Sequence, residues 1–283
     1  MRLIFLFLFL PTLYFGQKDL PAYILYTAKG KKTSFQKMAQ KAKSSDCVLF
    51  GEYHDNPISH WLQLELLNSM NTEKLSLGFE MFESDQQNLL SDYVSGKISK
   101  KEFEDSCRLW PNYKTDYQPL LDYAIENKLP CIASNVKRKY ASLLFKKGRE
   151  ALDSLPDLIK SQFAPLDYIV DTSLSQNKAI LEMGGHAMGR NMLDAQALKD
   201  ATMAMHIANA FKNNRQVLHF NGAFHSDFYQ GILWYLKQEP VAKEKNFLTI
   251  STVSQKDVKK LDKEHFGRAD FIICVPENMT STH

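Results

Sequence analysis

Cys47-Val48-Leu49-Phe50-Gly51-Glu52-Tyr53-His54-Asp55-Asn56-Pro57 is the stretch that decides the architecture. An apolar run stops abruptly at side chains able to bind a metal or move protons. Helical patterning opens at Pro57 and continues to about Met70. A strand, a short loop and a helix in that order form the unit from which parallel sheets are built. In open α/β sheets, ligands sit outside the carboxyl ends of the strands. Residues two apart in extended chain point the same way, so Glu52 and His54 can face one ligand. Asn56 suits a helix N-cap and Pro57 the first helical position, which gives Asp55 and Asn56 a structural role. His60 lies one turn into the helix beside Gln63 and Leu67. From there it either reaches the crevice or lies on a polar face.

The same pattern recurs three times. Leu75–Phe79 ends in Glu80 and Glu83, Cys131–Ala133 in Ser134 and Asn135, and Val217–Phe220 in Asn221, Gly222 and His225. Four such ends on one crevice would gather Glu52, His54, Glu80, Asn135, Asn221 and His225. Strands are expected at Tyr23–Thr27, Cys47–Gly51, Leu75–Glu80, Cys131–Ser134, Val217–Phe220, Phe247–Thr252 and Phe271–Val275. Most are continuous apolar runs, as in strands buried on both faces. Helical patterns lie between them, which predicts an α/β fold with a mostly parallel sheet flanked by helices. Between Ser134 and Val217 only helical patterns occur, too many for one crossover. Residues from about 136 to 190 are therefore expected to form an inserted helical subdomain, jointed at Pro156 and Pro165, within a single domain spanning 17–283. Leu193, Ala197, Ala201, Ala204, Ala208 and Phe211 form one apolar helical seam. Met183, Met188, Met192, Met203 and Met205 cluster around it, either as adaptable core filling or as a soft wall for a flat apolar ligand.

The 283 residues carry a formal net charge of +3. That is too weak a balance to argue for nucleic acid, and the basic residues read as scattered. Arg2 followed by the apolar run Leu3–Leu10 predicts a signal peptide over residues 1–16, cleaved near Gly16-Gln17. Pro11 and Gly16 interrupt a span of the ~20 apolar residues a bilayer requires. The protein is thus expected to be secreted across the inner membrane and to be periplasmic or envelope-associated. No lipobox cysteine stands near the cleavage point. Cys47, Cys131 and Cys274 lie in apolar runs as buried thiols. Without CxxC spacing, a cysteine zinc site has no support. HExxH and GxSxG are also missing from the sequence.

Gly184-Gly185-His186-Ala187-Met188-Gly189-Arg190 predicts a loop or broken helix with an accessible imidazole. Arg190 there suits a planar carboxylate. His225 follows the Gly222 turn and would begin a helix, a position that favours the neutral, metal-binding imidazole. His219 falls inside a strand and His206 in mid-helix, both structural positions. Glu52, His54, His186 and His225 make a mixed carboxylate–imidazole set. It suits zinc or another single transition-metal ion, or equally acid–base chemistry with Glu52 polarising a water.

At these motifs the chain resembles the ChaN family of haem-binding, iron-regulated envelope proteins, within the wider Tiki/TraB and erythromycin-esterase group. The resemblance rests on Gly51–Pro57 with His60, on Gly78–Phe82, on Trp110 to Leu120 and on Ile132–Asn135. It continues through Gly185-His186, Gln196–Ala204, and Asn221–Ser226 with Gly231-Ile232. It implies an α/β core with a smaller helical part, haem as cofactor, and a homodimer holding two haems face to face. It also implies a tyrosine iron ligand helped by a histidine, with Tyr53, Tyr113, Tyr117 and Tyr140 as candidates. The haem-binding set it suggests is His54, His186, Arg190, His225, Tyr140 and Tyr53. The function expected is haem and iron acquisition, with an outer-membrane haem receptor as candidate partner. Related enzymes use the Glu and His of the first motif for hydrolysis, so the alternative is a metal-dependent hydrolase using Glu52, His54 and His225.

Overall fold

The computed structural model describes residues Leu20–His283, apart from the side chains of Gly184–Ala187. The expected signal peptide lies outside the described residues. Seven strands form one sheet: β1 Ile24–Thr27, β2 Cys47–Glu52, β3 Leu75–Glu83, β4 Cys131–Asn135, β5 Gln216–Gly222, β6 Phe247–Gln255 and β7 Phe271–Pro276. Their spatial order is β1-β7-β6-β2-β5-β3-β4. Only β1 runs antiparallel, against β7. Each expected strand is present, and β5 inserts between β2 and β3. The carboxyl ends of those three strands therefore lie side by side, with Glu52 in register with Gly222.

Helices cover both faces. On one side stand α1 (Phe35–Lys43), α2 (Pro57–Ser69), α3 (Gln87–Val94), α4 (Lys100–Ser106) and α5 (Gln118–Glu126). Alternation along β2 sends Val48 and Phe50 into this layer, where they join Leu66, Phe79, Leu120 and Phe220. Cys47 and Leu49 point the other way, into a core with Ile207, Phe211, Ile232 and Leu233. That second layer belongs to α9 (Ser175–Lys212) and α10 (Ile232–Leu236). A third core joins α6 (Arg138–Lys147), α7 (Glu150–Asp153) and α9 through Tyr140, Leu144, Leu152, Phe163 and Leu198; α8 (Asp157–Lys160) packs beside it through Ile159. This helical part does not stop near residue 190, because α9 runs through that boundary into the second layer.

The seam from Leu193 to Phe211 is buried at every position. A Cβ on Gly189 would lie 2.7 Å from the Leu181 carbonyl oxygen. Eight residues of straight helix span about 12 Å, so α9 bends sharply between these two residues. The methionines divide: Met203 is core, whereas Met183, Met188 and Met192 are exposed. All four cysteines are buried free thiols. No described helix is long and apolar enough to cross a membrane.

Gly78 makes room for a buried histidine. A Cβ there would lie 2.5 Å from the His219 ring, whose nitrogens engage Ser134 Oγ at 2.8 Å and Asn221 Oδ1 at 3.1 Å. Gly78→Ala should destabilise the fold by roughly 1–3 kcal/mol through overpacking, read as a lower urea midpoint. An unchanged midpoint would contradict this packing.

Candidate functional site

Glu52 ends β2 fully buried. Its Oε1 accepts from Tyr117 Oη at 2.6 Å and lies 2.8 Å from His54 Nδ1. Its Oε2 accepts from the Gln63 amide. Burial alone would raise the Glu52 pKa. The hydrogen bond from His54, the charge of His60 and the Tyr117 hydroxyl outweigh it and hold the carboxyl below its ordinary range. The carboxylate is ionised with both oxygens engaged, so it orients His54 rather than offering a free ligand.

His54 is the open member of the pair, with its side chain 40% exposed. Burial would lower its pKa, but the bond to Glu52 and the charge of Glu80 raise it. The ring packs edge-on to Trp110 at 4.9 Å between centroids. Gly222 also lies close to the ring, where a Cβ would be 2.8 Å from Nε2. The His54 carbonyl accepts from Asn112 Nδ2 at 2.7 Å and from His60 Nε2 at 3.0 Å. His60 thus stands behind the crevice as support.

Glu80, just past the part of β3 that pairs with β5, accepts from the Gly222 amide at 2.7 Å and faces His225 Nε2 at 3.1 Å. The other His225 nitrogen pairs with Asp200 of α9. Burial would lower the His225 pKa, yet Glu80 and Asp200 together raise it to about 10. Burial also pushes Asp200 up. Glu80 is likewise desolvated, but His225 and His54 hold it far below the carboxylate range. The expectation of a neutral His225 is therefore corrected. It sits in a three-residue turn, Ala223–His225, and two buried carboxylates dictate its charge.

Glu52, His54, His225, Tyr53, Gln196 and Phe224 line a cavity of about 420 Å³ at this rim. Gln196 also lines a neighbouring groove of about 270 Å³ between α6 and α9, with Arg138, Phe145, Met192 and Lys199. A larger cavity of about 590 Å³, beside Val94, Ile125 and Leu129, opens at the amino-terminal end of β4.

The remaining sequence candidates support the rim or fall away from it. Asn221 turns inward to Ser226 Oγ at 3.0 Å, and Asn135 Nδ2 holds the Glu80 carbonyl at 3.1 Å. Burial raises the Tyr53 hydroxyl pKa. Tyr140 is buried against Phe163, and Tyr113 is buried as well. Arg190 pairs with Asp194 at 3.2 Å on its own helix. The His186 side chain lies outside the described residues. Burial drives His219 down to about 4 and lowers His206 too, in keeping with structural roles. The His186 member of the four-ligand metal set lies outside the described residues, and among those residues no group of three or more His, Cys, Asp or Glu side chains is arranged to hold a metal ion. The reason is that the Glu52 and His225 polar atoms already bond to neighbours.

Sequence reasoning named Tyr117 only as a candidate iron ligand and missed the partnerships: Tyr117 and Gln63 with Glu52, Trp110 with His54, Asp200 and Gln196 with His225, and Gly222 as a slot. One signal was available. Asp200 is an acid beside Ala197, Ala201 and Ala204 on the apolar seam, a position that demands a buried partner.

The sequence matches the family described as "Haem-binding uptake, Tiki superfamily, ChaN" over residues 38–236, and the chain belongs to that family. The structure is similar to that of ChaN of Campylobacter jejuni, described by its cofacial haem binding. The TM-score is 0.65 at 18% identity, covering 89% of this chain and 96% of that one. It is also similar to a succinoglycan biosynthesis protein, with a TM-score of 0.53 at 11% identity over 92% and 95% of the two chains. No curated protein matches the sequence.

Two substitutions test the rim. Gly222→Ala should displace the His54 imidazole and shift its NMR resonances while leaving those of His219 in place; unchanged His54 resonances would refute the slot. Asp200→Asn removes a negative neighbour and should lower the His225 pKa from about 10, as read by NMR titration. A raised histidine pKa stabilises the fold fully below pH 6.5, and that contribution is lost as pH rises through about 10. The wild type should therefore lose stability across this window, and the variant less steeply.

Proposed function

We propose that the protein binds haem in the α6–α9 groove, next to the Glu52–His54 rim, and serves haem and iron acquisition in the cell envelope. The observation that carries this is the groove itself, in a chain of a haem-binding family. Phe145 and Met192 stand exposed at it, and Met188 is exposed nearby on α9. Arg138 and Lys199 flank it. A flat apolar ring bearing two carboxylates matches that donor set. Gln196 joins the groove to the cavity where His54 Nε2 makes no hydrogen bond among the described residues. Its Nδ1 faces a carboxylate, the arrangement that raises the ligand basicity of an imidazole. Bound haem would supply an iron able to take a ligand from the protein. His54 is the best-presented nitrogen; Tyr53 also lines the cavity, with its hydroxyl beside Ser254 and Arg268. Tyr140 would first have to leave its packing against Phe163.

The Campylobacter jejuni protein binds haem cofacially. The same arrangement here would pair two copies, with the exposed methionines of α9 at the junction. An outer-membrane haem receptor is the partner such a carrier would serve. A second reading, a hydrolase using Glu52, His54 and His225, draws on the oriented His54. The engaged oxygens of Glu52 weigh against a metal-dependent form of it.

Haem titrated into the protein should produce a saturable, shifted Soret band. Phe145→Glu should weaken binding about tenfold or more, since it places a like charge among the carboxylates. His54→Ala should change the spectrum more than the affinity. No Soret shift in the wild type would remove the reading, and equal affinity in Phe145→Glu would remove the groove from it.

A further inference from the structure

Val136–Arg149 contains Lys137, Arg138, Lys139, Lys146, Lys147 and Arg149 and no carboxylate. The whole chain has a formal charge of +3, so the residues outside these six cations sum to −3. Lys137 is tied to Asp85 at 2.6 Å and Arg149 to Asp194 at 3.5 Å. Among the described residues, Arg138, Lys139, Lys146 and Lys147 make no salt bridge, and all four are exposed. Steps of seven and eight residues return to one side of a helix. Arg138, Lys139, Phe145 and Lys146 therefore share the outward side of α6, while Tyr140, Ala141 and Leu144 are buried on the other.

We propose that this outward face of α6 docks on an anionic lipid surface, with phosphatidylglycerol-type headgroups as its partner. Charge complementarity carries the assignment. The cations lie along a strip about 12 Å long, too spread for one small anion and suited to a plane of headgroups. An exposed aromatic stands among them, as in cationic helices that lie in a bilayer interface. The acidic remainder of the molecule is repelled by the same surface, so contact through α6 is the orientation that electrostatics selects. Docking turns the mouth of the α6–α9 groove toward the lipid, because Arg138 and Phe145 belong to both. The contact itself does not depend on what the groove holds.

The test is cosedimentation of the full chain, without haem, on phosphatidylcholine vesicles with and without about one third phosphatidylglycerol. The variant is Lys139→Glu/Lys146→Glu, with Lys139→Gln/Lys146→Gln as a milder companion. Both positions are exposed and neither lines the groove. The wild type should bind the anionic vesicles, with binding about tenfold or more weaker in the charge-reversed variant and weakened by salt. Binding to pure phosphatidylcholine, which reports any contribution of Leu3–Leu10, should be the same for both. Equal binding of wild type and both variants to anionic vesicles would overturn the proposal. So would no anionic-vesicle binding at low salt, or retention of the wild type on polyglutamate beads alone, which would assign the face to an acidic protein. Haem titration of the variants should match the wild type, which separates this proposal from the function of the groove.

Discussion

The grip of Glu80 and Asp200 on the protonated His225 is the constraint on which the site depends. The three side chains come from the carboxyl-terminal half of β3, from α9 and from the turn after β5. Buried charges are tolerated only when paired, and removing one partner costs about 3–5 kcal/mol. The triad therefore fixes the helical layer to the carboxyl end of the sheet. Gln196, one helical turn before Asp200, is held beside His225 by the same attachment, its amide 2.9 Å from Nδ1. Cavity and groove meet at that residue.

The second buried carboxylate produces a different result. Glu52 engages only Nδ1 of His54, and Trp110 and Gly222 confine the ring. His225 has committed both nitrogens to carboxylates, whereas His54 has committed one. That asymmetry decides which imidazole can meet a ligand. It is set by which acids are buried nearby, not by the number of histidines at the rim.

The apolar runs ending in Glu52, Glu80 and Asn221 made the sheet and its rim legible in the sequence, because strand burial and strand termination are local properties. The N-cap at Asn56 was equally legible, and its side chain accepts from the Ser59 amide at 3.0 Å. Tyr117 and Trp110 were not, since they reach Glu52 and His54 by packing between distant segments. The charge of His225 was misread because local position favoured the neutral form while two remote carboxylates determined the outcome. The cations of α6 read as scattered until the helix placed them on one side. The groove depends on how α6 packs against α9, and no local pattern encodes that.

In the function proposed above, haem meets this protein at the α6–α9 groove and the rim beside it. A crystal structure of the haem-loaded protein tests it most directly. Porphyrin density is expected against Phe145 and Met192, with carboxylates toward Arg138 or Lys199 and the iron on the side of His54. Porphyrin density in the cavity beside Val94, Ile125 and Leu129, with the groove empty, would contradict it.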